Sequence, residues 1–432
     1  MHSTRTLWRE PAYLLCIVAI IAMVLYNATF VRVENFGGYW ESTFANATIF
    51  LVFSAPVGSA SAAIVAARAR RSGIWALPLA RSRAMITVRL LLPSFVGAFL
   101  SQLFGLLVLM STSWGSPGRI PLEIVLSWAA ILIFHISVGY LLGRYLPVAA
   151  SIPLAIFASY CWLGFTWTVN YFPIRYLAGL IITACCSVDT TLDERAIVAV
   201  VVFSLPMSGA LLIFATVPPT GMHRRVIPLT GLAAIALVVV AITVGLNVAQ
   251  GLGAQPVVPR RSRDLVCTGK TPTICVYPEQ LQRDDPRPTL EAAYENLREE
   301  GVRMPAVVTT SNTKADRSAL RVVISTRPTT AQLVYTTAAG LIPDDEAPYC
   351  GNGSDYPKRL DVAAVATWWL QTIAAKGLID ASSLPQPDFT SGSGRLIQGF
   401  SQLSDRQQRD WYAAASPTLR HCSSKPIAIP SR

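Results

Sequence analysis

The side chains best suited to covalent or redox chemistry in this chain are its eight cysteines. Cys267, Cys275, Cys350 and Cys422 lie in the last third, in ordinary mixed sequence. Cys16, Cys161, Cys185 and Cys186 lie in apolar surroundings, where a free cysteine behaves as a small core residue. An even number of cysteines in a segment expected outside the cell reads as disulfides. Four cysteines allow three pairings; the favoured one closes the short loop Cys267–Cys275 and ties the terminal helix down through Cys350–Cys422. No CxxC pair or Cys/His cluster has zinc spacing, so no metal is expected.

Other candidates for chemistry are weaker. Gly269-Lys270-Thr271 has the ending of a phosphate-binding loop but lacks the earlier glycine and the strand–loop–helix setting. No His-Glu-x-x-His, Gly-x-Ser-x-Gly or paired-glycine fingerprint is present. His421 adjoins Cys422, whose expected oxidation removes the nucleophile of a Cys/His pair. Asp284-Asp285 and Asp344-Asp345-Glu346 sit beside Pro286 and Pro343 and read as solvated turns. Trp368-Trp369 reads as one core and one half-buried ring. These features describe neither an enzyme nor a cofactor site.

The elements that must carry these residues are mostly apolar. The chain is 52% hydrophobic and 14% charged, too apolar for an ordinary soluble protein. Nearly all of that apolarity precedes about Gln250, and every lysine follows it. A bilayer core of ~30 Å needs about 20 apolar residues in a helix. Seven stretches qualify, near Pro11–Val31, Phe44–Ala67, Ala84–Met110, Ile120–Leu142, Val148–Asn170, Ala196–Val217 and Val226–Val248. Tyr171–Cys186 is apolar but too short and interrupted to span, and reads as an interfacial or re-entrant element on the outer side.

Charge orients the spans. The loop Arg68–Arg83 holds Arg68, Arg70, Arg71, Arg81 and Arg83 around an apolar centre with Trp75, and no acid. Such loops stay cytoplasmic. Arg5, Arg9, Arg144, Arg224 and Arg225 fall on the same side. Arg32, Arg119, Arg175 and Arg195 fall on the other, accompanied by Glu34, Glu41, Asp189, Asp193 and Glu194. The amino terminus is therefore expected inside and the carboxyl third outside. The formal charge of +11 is explained by topology and a mixed surface rather than by nucleic acid. Three polar residues fall within spans. Arg89 and Glu123 lie near span ends, where long side chains reach the interface, whereas His135 lies near the middle of its helix. Gly139 and Gly143, four apart, have the spacing of a close helix contact.

The organisation that follows is a transmembrane bundle over 1–249, a Gly/Pro/Arg-rich linker over 250–264 and an extracytoplasmic α+β domain over 265–432. In that domain Val266–Tyr277 reads as a hairpin, and Thr289–Gly301 as a helix capped by Thr289. Pro305–Thr310, Leu320–Thr326 and Gln332–Thr336 read as strands. Arg359–Ala375 reads as a helix, and Ser404-x-x-Gln407 as the capping box of a last helix.

Several runs carry a resemblance: Phe36-Gly37-Gly38-Tyr39-Trp40-Glu41, Ser54-Ala55-Pro56-Val57, Gly73–Ser82, Val266-Cys267 and Ile274-Cys275-Val276-Tyr277-Pro278-Glu279. Together they resemble a group of actinobacterial multi-pass membrane proteins of uncharacterised function that are described as ABC-transporter-permease-like. The outline is similar to the membrane subunit of type-2 ABC exporters, with six spans and a coupling segment between the second and third. Re-entrant helices in those subunits lie between the fifth and sixth. The resemblance implies a plasma-membrane export subunit whose Arg68–Arg83 loop engages a separate cytoplasmic ATPase, with a second copy of the chain as a further partner. A seventh span and an outer domain depart from that pattern, and the loop lacks the acidic residue often used to engage the ATPase. The alternative is a membrane-anchored sensor or interaction protein whose outer domain binds a ligand or envelope partner.

Overall fold

The computed structural model describes residues 11–30, 38–74, 82–111, 113–216, 226–282, 284–313, 318–342, 356–380, 383–384, 392–420, 425 and 427–430. The chain divides into two units, Met1–Val258 and Pro259–Arg432.

In the first unit, seven helical stretches among the described residues are long and apolar enough to cross a membrane. Helix α1 is Pro11–Phe30. Helix α2 (Trp40–Ala47) runs through one 3-10 turn (Thr48–Phe50) into α3 (Leu51–Arg71), so this stretch begins earlier than its apolar run suggests. The polar residues at its start do not break the helix because they bond their own backbone. Thr43 Oγ1 donates to Tyr39 O at 3.0 Å, Asn46 Nδ2 to Ser42 O at 2.9 Å and Ser54 Oγ to Phe50 O at 3.2 Å. Then follow α4 (Arg83–Met110), α5 (Leu122–Tyr145) and α6 (Val148–Phe165). A short α7 (Phe172–Ala178) and a 3-10 turn (Leu180–Ala184) precede α8 (Glu194–Thr216) and α9 (Val226–Ala249).

Helix α3 is the centre of this unit and packs against α1, α4, α5 and α6. Its buried face is made of small residues: Ser54, Ala55, Gly58, Ser59, Ala62, Ala63, Ala66 and Ala67. A Cβ at Gly139 of α5 would overlap the backbone carbonyl of Ser59, and one at Gly143 that of Ala63. The two backbones touch, which only glycine permits. Large apolar side chains face outward instead, including Leu14, Val18 and Leu25 on α1 and Val88, Leu92, Leu100 and Leu107 on α4. Polar bonds stitch the interior. Gln102 Nε2 donates to Ala47 O at 2.8 Å while its Oε1 accepts from Ser54 Oγ at 2.9 Å. Trp128 Nε1 donates to Thr48 Oγ1 at 2.9 Å.

The second unit is α+β. Strand β1 (Val266–Thr268) pairs antiparallel with β2 (Thr273–Val276); β3 (Val307–Thr309) and β4 (Leu320–Arg321) extend the sheet in parallel. Cys267 and Cys275 are direct cross-strand partners and form a disulfide. Helices α10 (Arg287–Glu299), α11 (Thr330–Ala339), α12 (Tyr356–Ala374), α13 (Gly392–Ser401) and α14 (Asp405–Arg420) complete the unit. The core joins Val276, Leu290, Tyr294, Val308, Val334, Leu370 and Phe400, with Trp369 buried and Trp368 partly so.

Two local expectations are corrected. Gln332–Thr336 is helix, not strand: Thr329 caps α11 by accepting from Gln332 N–H at 3.2 Å, and the run behind it holds helix-forming Ala and Leu. Helix α10 starts at Arg287 rather than after Thr289, because Pro288 fixes a helical φ in the first turn and Asp285 Oδ1 accepts from Arg287 N–H at 3.0 Å. The Ser404/Gln407 capping box forms, with Ser404 N–H 3.0 Å from Gln407 Oε1.

A buried ion pair fixes the entry to this unit. Arg260 donates to both oxygens of Glu279 at 3.0 Å and lies over the Tyr277 ring. The Glu279 side chain is 1% exposed, so this carboxylate depends on its partner.

Two outcomes follow. Gly139→Ala should destabilise the first unit by roughly 1–3 kcal/mol through overpacking, read as a lower thermal-aggregation temperature in detergent. Gly164→Ala, whose Cβ would meet nothing nearer than 4.0 Å, should leave that temperature unchanged. Arg260→Met should cost roughly 3–5 kcal/mol by stranding the Glu279 charge. Hydrogen exchange over β2 in the full chain should report this loss, and Arg260→Met/Glu279→Met should recover most of it.

Candidate functional site

At the start of α2, Glu41 gathers three separate chain segments. Its Oε2 accepts from Thr191 Oγ1, from Leu192 N–H at 3.2 Å and from Tyr39 hydroxyl at 3.1 Å, with Cys186 Sγ 3.9 Å away. Tyr39 hydroxyl is also 3.1 Å from Thr190 O. Next to it, Gly38 takes a φ of 90°, open to glycine at little cost. Its N–H donates to Ser113 Oγ at 2.9 Å, which lies 2.6 Å from Thr43 Oγ1. Trp40 Nε1 donates to Ser116 O at 3.0 Å. The run Gly38–Glu41 is thus a polar clamp that holds the 113–116 loop and the short strand Thr190–Leu192 to the head of α2.

Beneath the clamp lies a cavity of about 280 Å³ lined by Ser42, Asn46, Cys185, Cys186, Ser187, Thr190 and Gln255. The elements explain its position. Gly179, with φ of 82°, ends α7 and turns the chain into the 3-10 turn. The turn delivers Cys185 and Cys186 to the cavity wall. Ser187 N–H donates to Thr190 Oγ1 at 2.9 Å, closing a tight loop. From the far end of the unit, Tyr176 hydroxyl donates to Gly253 O at 2.8 Å and Asp193 N–H to Pro256 O at 2.9 Å. Residues 250–257, read as the first part of a linker, are therefore anchored on the bundle. Beside this region the Arg195 guanidinium holds the Asp193 carboxyl below the usual range.

Cys185 and Cys186 are corrected from the free core cysteines expected: the structure joins them in a disulfide. The sequence shows two adjacent cysteines in an apolar run, but both residues line a cavity rather than a helix interface. Cys16 and Cys161 are free. Among the described residues no cluster of His, Cys, Asp and Glu could hold a metal.

The arginine residues expected to engage a partner lie at the opposite helix ends. Arg68, Arg70 and Arg71 close α3, and Arg83 opens α4 behind the Ser82 cap. Arg70 Nη1 donates to Arg144 O and Arg144 Nε to Ala215 O, each at 3.3 Å, fastening the ends of α3, α5 and α8. Arg68 and Arg71 are exposed. Trp75, Arg81, Cys350 and Cys422 lie outside the described residues. Arg89 is exposed on α4, and Glu123 pairs with Arg119 at 2.7 Å. His135 is buried, with Nδ1 3.0 Å from Ser159 Oγ on α6. None of the three meets the others.

The sequence reading singled out Tyr39, Trp40 and Glu41 but missed Ser113, Thr191 and Gln255. Nothing local distinguishes a serine that receives a loop N–H from one on a surface. Removal of the Glu41 acceptor should loosen the strand Thr190–Leu192 at the head of α2. Glu41→Ala should cost roughly 1–3 kcal/mol through the unsatisfied donors and raise tryptic cleavage after Arg195 in the folded protein. Glu41→Gln, which keeps an acceptor oxygen, should restore most of the protection.

Comparison with known proteins places one match on the second unit. A family model described as a domain of unknown function (DUF7224) matches residues 274–422. No curated protein and no solved structure matches the chain.

Proposed function

We propose that the chain is an integral plasma-membrane, permease-like subunit that works with a separate cytoplasmic ATPase in export. In this reading the amino terminus is cytoplasmic and the second unit extracytoplasmic. The seven apolar helices and their outward-facing Leu, Val and Ile side chains support a bilayer setting. The Cys267–Cys275 disulfide fits an oxidising compartment for the second unit. The observation that carries the transport reading is the cationic end of the bundle. Arg68, Arg71 and Arg83 flank the connection from α3 to α4, with Arg70 and Arg144 fastening the helix ends beneath it. Helix ends so fastened present charge to a soluble partner without deforming the bundle, and their movement would be felt directly by α3.

The alternative is an anchored sensor or interaction protein. The self-contained core of the second unit and the match of a family model to that unit alone favour it, since a module with its own core can bind independently of the spans.

Affinity purification from native membranes separates the two. Transport predicts a stoichiometric ATPase that is lost at least tenfold when Arg68–Arg83 is replaced by Gly/Ser. Purification without an ATPase, but with an envelope protein that disappears on deletion of the second unit, would make the sensor reading correct.

A further inference from the structure

We propose that Cys185–Cys186 is a thiol–disulfide exchange site for a small monothiol, reached through the cavity beneath Glu41. This inference rests on the cavity alone and is independent of the transport reading. The pair is built differently from the Cys267–Cys275 staple. That staple links two strands across a ladder, whereas bonding adjacent residues closes almost no loop and contributes little to folding stability. Its location is also unlike that of a core cysteine. Both residues line a cavity of about 280 Å³, near the lower end of small-molecule sites, where Ala184 and Val257 join the hydroxyls and amides of Ser42, Asn46, Ser187, Thr190 and Gln255. Such a wall offers donors and acceptors to a polar ligand. Cys185 and Cys186 are the redox-active residues among those that line it.

The chemistry balances without any further group. A thiolate RS⁻ attacks one sulphur in line with the S–S bond, forming an RS–S bond and expelling the other cysteine as thiolate. Glu41 Oε2 lies 3.9 Å from Cys186 Sγ and opposes negative charge there. Attack therefore falls on Cys186, and the charge leaves on Cys185, which takes a proton from water. A second RS⁻ attacks the RS sulphur, releasing RSSR and Cys186, whose sulphur is protonated and donates to Glu41. In sum, two RSH are oxidised to RSSR and one protein disulfide is reduced to two thiols. The reverse sequence, run by RSSR, reoxidises the pair. Gln255 is exposed and lies at the cavity wall, so its size controls entry.

The test uses the full chain in lipid nanodiscs with 2-mercaptoethanesulfonate as the monothiol. After timed reaction, free thiols are blocked with N-ethylmaleimide, and trypsin releases Tyr176–Arg195, whose only cysteines are this pair. We expect no label on that peptide before the thiol is added, two labels after it, and a transient mixed disulfide on Cys186. Gln255→Trp should slow labelling at least tenfold and Gln255→Ala should not, while reduction of Cys267–Cys275 proceeds at one rate in all three proteins. The proposal is overturned if the peptide labels fully without reductant in air-oxidised protein. A pair that resists the monothiol, or one that Gln255→Trp reduces as fast as wild type, also overturns it.

Discussion

The first unit depends on two backbones touching. Helix α5 meets α3 with no side chain between them at Gly139 and Gly143, where the facing atoms are the carbonyls of Ser59 and Ala63. In the bilayer setting proposed above, burial of apolar side chains between helices gains little, because lipid offers the same environment. Close approach supplies dispersion contact and small dipolar terms instead, and it requires small residues along the whole seam. The composition of α3 follows from this: its buried face carries Ser, Ala and Gly, and the Leu, Val and Phe side chains of its neighbours turn outward. A helix surrounded on four sides cannot shift without moving α1, α4, α5 and α6 together.

Polar bonds then fix the register that dispersion leaves free. Gln102 joins α4 to the α2–α3 stretch by both ends of its amide, and Thr48 accepts from Trp128 of α5. Each is worth about 1 kcal/mol or less in membrane proteins. Their value is directional: an amide that reaches two named atoms permits one rotation of its helix. His135 belongs to this set, with its Nδ1 on Ser159 of α6.

The sequence made the seven long apolar helices legible because twenty apolar residues in a row have few other uses, and the cross-strand cysteines were legible as a short loop. The Gly139/Gly143 spacing was visible, yet only the structure shows that Ser59 and Ala63 receive it. Pairings of this kind join residues about 80 positions apart, and nothing in either segment names the other. The strand assigned to Gln332–Thr336 failed for a different reason. Val, Tyr and Thr favour strands by packing, not by backbone preference, and the Thr329 cap with Ala and Leu behind it favours a helix over that stretch. The clamp at Glu41 was half visible: its acid and aromatics stood out, whereas its loop partners Ser113 and Thr191 carried no signal of their own.

Glu41 also accounts for why a cavity exists where it does. Between α7 and α8 the chain must turn through residues 179–193, where only a 3-10 turn (Leu180–Ala184) and a short strand (Thr190–Leu192) paired with Val257–Pro259 satisfy its backbone, and unpaired groups there would be costly. A single carboxylate oxygen at the head of α2 takes the Leu192 N–H and the Thr191 hydroxyl, while Ser187 and Thr190 bond one another. The segment is therefore held by its pairing with Val257–Pro259 and by one acid. An apolar loop would collapse onto α2. A polar one tied by hydrogen bonds leaves a space, and Cys185 and Cys186 are among the residues that line it.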